Sequence, residues 1–211
     1  IAERAMDFMK QGFTALKLRM GDEARADDAL ARMQITRETV GSGIDIMVDI
    51  NQGWSVSQSI KMGRRLAEYE LYWLEDPVPH QNLTGQVQVA SALDTPVASG
   101  EYHYGTAPFS DLIGRNAIDI AIIDLFRAGG ITPWMKIAHL AEVFNIPVAS
   151  HVAPEILIHT MAAIPNALTV EYMPWAFEAF EEVPQVESGE IIAPRSPGIG
   201  LKFDDDRLKN K

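Results

Sequence analysis

Three acidic residues close short apolar runs at a regular interval. Asp49 ends IDIMVD, Glu75 ends LYWLE and Glu101 ends PVASGE, each 26 residues from the next. One strand–helix unit carries a chain to its next strand end, so equal spacing puts three carboxylates on adjacent strands at one height. Like charges brought together repel and resist ionisation unless a cation neutralises them. An all-oxygen donor set suits Mg²⁺, with Mn²⁺ as the second candidate. The competing explanation is that strand-end acids are solvated or paired with loop Lys and Arg. That serves well for one acid and poorly for three in register. Asn51 follows Asp49 by two and shares its face if the strand continues. Asp76 follows Glu75 by one and should point away, behind the ligands or toward a lysine. Ordinary loop polarity explains Asn51 and Asp76 equally well.

Basic groups stand opposite these acids. Lys17 and Arg19 lie two apart in ALKLRM, so both side chains face the same way off an otherwise apolar strand. Two such cations need anions, which a substrate carboxylate or the acid cluster would supply. A purely structural ion-pair network is the alternative. His151 ends IPVASH, and Asp124 ends the preceding apolar run. A carboxylate on one imidazole nitrogen fixes the tautomer and raises the basicity of the other, which makes a competent general acid/base. Glu171 ends ALTVE and can hydrogen-bond a substrate oxygen if a proton is retained or shared. Its alternative role is a structural pair with Lys17 or Arg19. His103, just past Glu101, is a candidate substrate contact, with an ordinary loop role as the competitor. His80, His139 and His159 read as structural, and Trp54, Trp73, Trp134 and Trp175 as packing or pocket wall.

The elements that carry these residues alternate in type. Runs rich in Val and Ile lie at Thr14–Met20, Ile44–Ile50, Leu71–Glu75, Pro96–Glu101, Ile118–Asp124, Ile146–His151 and Leu168–Tyr172. They are short enough to be buried strands. Ser57–Tyr69 and Thr132–Phe144 have helical spacing. Thr132 and Pro133 fit an N-cap and first helical position, after a Gly129-Gly130 turn. Such alternation means parallel βαβ units. A doubly wound sheet would show a glycine-rich phosphate turn, and none is present. Charged and imidazole groups at the C-terminal ends of many strands indicate a barrel instead. A full barrel has eight strands and this sequence shows seven, starting with a helix and turn over Ile1–Gly12, so the first strand is expected upstream. The tail from Glu178 to Lys211 lacks strong periodicity and is expected to pack on a segment outside the chain. No domain boundary is apparent, so residues 1–211 are expected to form a single domain.

Composition narrows the function. The 211 residues carry 18 basic and 29 acidic side chains, a net charge of −11. Nucleic acid and anionic membranes need clustered Lys and Arg, so neither is an expected partner. No run approaches the roughly 18 uncharged apolar residues of a membrane span. With no cysteine, thiol nucleophiles, disulfides and Cys-based zinc sites are excluded. No signal-peptide pattern is visible, although the first residue is Ile1 rather than Met. A cytoplasmic location is the default expectation.

The motifs ALKLR, VDINQGW, WLEDP, ASGE, IDLFRAGG, ASH and VEY, in this order, resemble the mandelate racemase-like subgroup of the enolase superfamily. The resemblance runs from about Phe13 to Tyr172, and residues 197–203 are like the family's closing segment. It implies a TIM-like (β/α)₇β barrel, here a fragment without its first strand and without an N-terminal α+β capping domain. It also implies Mg²⁺ on Asp49, Glu75 and Glu101, an Asp124–His151 dyad beside the substrate, and Glu171 hydrogen-bonded to the substrate carboxylate or the intermediate. A homo-oligomer is expected, as family members often are oligomeric.

One departure carries weight. The subgroup's racemases have Lys-x-Lys on the second strand, and this chain has Lys17-Leu18-Arg19. Arginine stays protonated and is a poor proton acceptor. Racemisation needs bases on both faces of the α-carbon, whereas dehydration needs one base and one acid. The expected activity is therefore a Mg²⁺-dependent dehydratase of a sugar acid. The alternatives are a racemase or epimerase using Lys17, a metal-binding barrel without activity, and an unrelated metal-dependent barrel enzyme.

Overall fold

Val and Ile occupy both faces of the strand runs, and a strand apolar on both faces must be covered on both. The computed structural model describes residues 1–23 and 25–209. Within them lie β1 (Ala15–Arg19), β2 (Asp45–Asp49), β3 (Trp73–Glu75), β4 (Val97–Ser99), β5 (Ile120–Asp124), β6 (Val148–His151) and β7 (Ala167–Thr169). They form one parallel sheet in chain order, β1 to β7. The accompanying helices are α1 (Ala2–Lys10), α2 (Ala26–Val40), α3 (Val56–Leu66), α4 (Leu83–Ala92), α5 (Ala107–Gly114), the short α6 (Leu125–Ala128), α7 (Ile131–Val143) and α8 (Pro154–Ala162). Sequential parallel neighbours joined through helices are what right-handed βαβ crossovers build. The sheet is curled far enough for side chains near its two ends to touch, although β1 and β7 do not pair. Lys17 on β1 reaches Glu171 beyond β7 at 2.5 Å, and the Phe13 and Tyr172 rings lie 5.3 Å apart.

Two apolar layers hold this sheet. Inside the curl, Met47, Trp73, Ala98, Ile120, Ile122 and Ala149 pack together, with Ala15 and Leu168 against them. Outside, Ile46, Val48 and Leu74 meet Ala29 and Met33 of α2 and Met62 and Leu66 of α3. On the other flank Ala121, Ile123 and Val148 meet Phe109, Leu112, Trp134, Ile137 and Ala141. Trp134 is fully buried, and its indole N–H donates to the Ile123 carbonyl at 3.0 Å. Burying one such large side chain contributes about 3 kcal/mol. Local signals set the helix starts: Ser55 accepts from the Gln58 N–H, and Asn82 accepts from the Gly85 N–H.

The inner layer also fixes where the polar groups go. Side chains two apart on a strand share a face. Two residues beyond Ala15, Met47, Trp73, Ile122 and Ala149 come Lys17, Asp49, Glu75, Asp124 and His151. An apolar floor therefore carries a polar rim at the C-terminal ends of the strands, where barrel enzymes place their chemistry.

The structure departs from the sequence reading in places. Strand cores are shorter than the apolar runs, most of all in β3, β4 and β7. Helix α7 begins at Ile131 with Gly130 at its N-cap, so Thr132 and Pro133 lie inside the first turn. Gly129 and Gly130 both have positive φ, 100° and 106°, which is why the turn uses glycine. The tail contains a hairpin, β8 (Val186–Glu187) with β9 (Glu190–Ile191), and a short α9 (Asp205–Lys209). Within the tail Phe180 stacks on Phe203, and the Ile199 carbonyl oxygen lies 3.0 Å from His159 Nε2 of α8. No helix among the described residues is long and apolar enough to cross a membrane.

Candidate active site

Lys17 is the hub of the acid side. Its Nζ donates to Glu75 Oε1 at 2.7 Å and pairs with Glu171 Oε1 at 2.5 Å. The other Glu75 oxygen accepts from the Trp73 indole N–H at 2.9 Å. Glu171 Oε2 accepts from the Val152 N–H at 2.7 Å. Burial opposes the Lys17 ammonium, but the Glu75 and Glu171 carboxylates outweigh it and raise Lys17 above the usual lysine range. Burial likewise opposes ionisation of Glu171, and Lys17 overrides it, holding that carboxyl below its ordinary value. In the metal-free protein these two carboxylates favour the charged form of Lys17.

The remaining acids are short of positive charge. Asp49, Glu75, Asp76 and Glu101 are all buried. Burial first, and then the Glu75 carboxylate, push Asp49 up to about 6. Burial followed by Asp76 and Glu75 pushes Glu101 up to about 9. Asp76 rises through burial and Glu75. Its Oδ1 accepts from the Ser99 hydroxyl, and its Oδ2 has no partner. One lysine against this many buried carboxylates leaves a deficit that a divalent cation would fill.

Asp124 and His151 are register partners at the ends of β5 and β6. His151 Nδ1 lies 2.6 Å from Asp124 Oδ2, and its Nε2 lies 3.2 Å from Glu101 Oε2. Burial would raise Asp124, but the His151 and Arg127 N–H hydrogen bonds hold it below its ordinary value. The carboxylate is therefore kept ionised against the ring, where it can stabilise an imidazolium.

The three expected metal ligands are not all at one height. Asp49 pairs in register with Glu75, whereas Glu75 pairs with Ala98, three residues short of Glu101. Glu101 reaches the site through the turn at Gly100, whose φ is +140°. Among the described residues, no group of three His, Asp or Glu side chains is arranged to hold a metal ion. Lys17 and Trp73 occupy both Glu75 oxygens, and Glu101 faces His151. In donor chemistry and missing positive charge, Asp49, Glu75 and Glu101 still fit a hard cation such as Mg²⁺.

Other expected residues sit farther out. The Arg19 side chain is 59% exposed, with Asp22 3.8 Å away, and takes no part in the Lys17 network. Asn51 donates its backbone N–H to Asp49 Oδ1 at 2.7 Å and holds a positive φ of 50°. His103 packs edge-on against His80 and Phe109, and its Nε2 is buried without a partner. His80 is bound to Gln52, and His139 forms a surface pair with Glu142. Asp76 finds Ser99 rather than a lysine. Sequence reasoning missed the Trp73–Glu75 contact, which the two-residue strand period could have revealed. It also missed Val152, whose N–H reaches Glu171 from a left-handed conformation (φ 44°) that no local motif announces.

Comparison with known proteins gives the family and the fold. A family model described as enolase C-terminal domain-like covers residues 1–207. The L-talarate/galactarate dehydratase of Salmonella typhimurium is 34% identical over 192 residues, 91% of this chain and 48% of that protein. The hydrophobic dipeptide epimerase of Enterococcus faecalis is 31% identical over 146 residues, 69% of this chain and 41% of that protein. A crystal structure of L-talarate dehydratase from Polaromonas sp. JS666, complexed with Mg and L-glucarate, superposes with a TM-score of 0.94 at 32% identity. It is matched over 99% of this chain and 58% of that one. Cycloisomerases are also among the relatives. The chain spans about half the length of the curated relatives it matches. With the family model matched over residues 1–207 and a relative 34% identical over 91% of the chain, the chain belongs to the enolase superfamily, in its mandelate racemase-like subgroup.

Proposed function

We propose that the protein is a Mg²⁺-dependent hydro-lyase acting on a sugar acid, an aldonate or aldarate, and yielding a 2-keto-3-deoxy acid. Residues 1–211 serve as its catalytic barrel domain, with Asp49, Glu75 and Glu101 holding the cation. The observation that carries this reading is an asymmetry between two basic side chains. His151 is oriented by Asp124 at Nδ1, whereas Lys17 is tied between the Glu75 and Glu171 carboxylates. Arg19, the second expected cation, lies outside that network. One competent base supports elimination over racemisation. The dehydratase name of the relative 34% identical to this chain supports the same reading.

Bound Mg²⁺ would supply positive charge where negative charge develops on the substrate carboxylate. His151 Nε2 takes the proton α to that carboxylate, and Asp124 steadies the imidazolium that forms. Lys17 offsets charge on the carboxylate side, and Glu171, tied to the Val152 N–H, orients the substrate. The enediolate then expels the β-hydroxyl, and the proton on His151 converts it to water. One proton and one hydroxide leave the substrate, and the resulting enol becomes the 2-keto acid. Asn51 and His103 are the candidates for contacts with the rest of the sugar.

The test is formation of 2-keto acid from pooled aldonates and aldarates by the complete protein with Mg²⁺. Wild type is expected to turn over. The His151→Asn variant should bind Mg²⁺ but be inactive. Turnover that survives in His151→Asn would show the base to be misassigned.

A further inference from the structure

Arg127 has no role in the chemistry above, yet it touches both residues that face His151. Its backbone N–H donates to Asp124 Oδ1 at 2.6 Å. Its Nη1 donates to the Glu101 carbonyl at 2.9 Å. The guanidinium lies over the Tyr102 ring, 4.8 Å from its centre, and the His80 ring stacks on Tyr102 at 5.7 Å and 17°. His80 is anchored in turn, since its backbone N–H and Nδ1 both lie on Gln52 Oε1 at 2.9 and 2.7 Å. The turns after β2, β3, β4 and β5 are thereby interlocked, with Arg127 as the member nearest the dyad.

This arrangement has a mechanical consequence. Asp124 Oδ1 is held by the Arg127 N–H, which leaves Oδ2 for the imidazole and stops the carboxylate from rotating. Glu101 stands beyond the end of β4, on a turn that strand pairing does not fix. The Arg127 guanidinium ties that turn to the start of α6, directly after Asp124. A planar guanidinium can donate in its plane while stacking on a ring, which an ammonium cannot do.

We infer that Arg127 is a positioning residue for His151: it sets the placement of Glu101 relative to Asp124 and so aims the imidazole between them. The inference rests on the reading of His151 as the base. Any substitution keeps the backbone N–H bond to Asp124, so only the contribution of the guanidinium is removed.

The test uses the complete protein with Mg²⁺ and the Arg127→Met and Arg127→Lys variants. Loss of a partner that orients a reacting group costs about 10- to 100-fold in activity. That loss is expected in kcat for Arg127→Met, with KM within about three-fold of wild type. Arg127→Lys should recover little. The ¹⁵N signals of His151, assigned by their loss in His151→Asn, should show the Nε2 resonance shifted without substrate present, as Glu101 leaves its place 3.2 Å from that nitrogen. Should Arg127→Met fail to fold, Tyr102→Leu removes the ring under the guanidinium and should give the same change in smaller measure.

Unchanged kcat and unchanged imidazole signals would overturn the inference. So would a raised KM at constant kcat, which would make Arg127 a substrate-binding group. A kcat loss with wild-type imidazole signals in Arg127→Met would overturn it too, as would wild-type signals in Tyr102→Leu when that variant carries the test. If wild type acts on no sugar acid, the proposed function fails, and the imidazole signals of the ligand-free variants still decide the role of Arg127.

Discussion

The imidazole of His151 lies 2.6 Å from the carboxylate of Asp124 because the two residues are register partners at the ends of neighbouring strands. Parallel pairing puts their side chains on one face, and the apolar residues two positions earlier, Ile122 and Ala149, form the floor beneath them. Asp124→Asn should keep this fold and lose control of the imidazole tautomer. Activity is expected to fall about 10- to 100-fold with little change in Mg²⁺ affinity. Steady-state kinetics and metal titration read the two effects separately, and an equal loss in both would speak against the assigned role.

Lys17 holds two carboxylates together across the seam of the curled sheet. The Lys17→Met variant leaves the buried Glu75 and the half-buried Glu171 without their cation. Breaking a buried pair in this way costs about 3–5 kcal/mol. Thermal or denaturant melts of the metal-free protein should show that loss, and added Mg²⁺ should recover part of it. A variant as stable as wild type without metal would mean that Lys17 is not the charge at the hub.

The pH dependence of Glu101 has a definite sign. Burial and the neighbouring acids push it from an ordinary 4.5 up to about 9 in the folded protein. Below the unfolded value both states are protonated, and Glu101→Gln should match wild type. As pH rises toward the folded value, the unfolded state releases its proton first and wild type loses stability. In metal-free buffer the Gln variant should therefore gain a growing advantage between about pH 5 and about pH 9. Saturating Mg²⁺ should erase or reverse it. An advantage that shrinks as pH rises would contradict the charge deficit.

Gly100 prepares the turn that delivers Glu101. At its φ of +140°, an added Cβ would stand 2.4 Å from the Ile122 carbonyl oxygen and 2.7 Å from Phe109 Cε1. Gly100→Ala should cost more than about 1 kcal/mol and weaken Mg²⁺ binding by displacing Glu101. Equilibrium unfolding and metal titration check both effects. Normal metal affinity in a destabilised variant would separate the turn from the site.

Much of this site was legible because strand periodicity is a strong local signal. The runs ending at Asp49, Glu75, Asp124 and His151 each place a polar group two residues past an inward apolar one, and pairing keeps them together. Glu101 and Glu171 were legible as residue types but not as geometry. Both lie beyond the last paired residue of their strands, where turn conformation rather than register sets position. Arg19 was expected beside Lys17 on the strand period, but at the open end of β1 its long side chain turns to solvent. The roles of Trp73, Ser99 and Arg127 depend on contacts between strands and loops that a linear pattern does not encode. Within the tail, the Phe180–Phe203 contact joins residues too far apart for periodicity to show.

The most direct measurement follows the α-proton itself. The complete protein with Mg²⁺ is incubated in D₂O with pooled aldonates and aldarates and observed by proton NMR. Loss of the α-proton signal together with appearance of a 2-keto-3-deoxy product is the predicted result. Exchange of that proton with no loss of water would contradict the account, because it would require a second working base, whereas Lys17 is tied between Glu75 and Glu171.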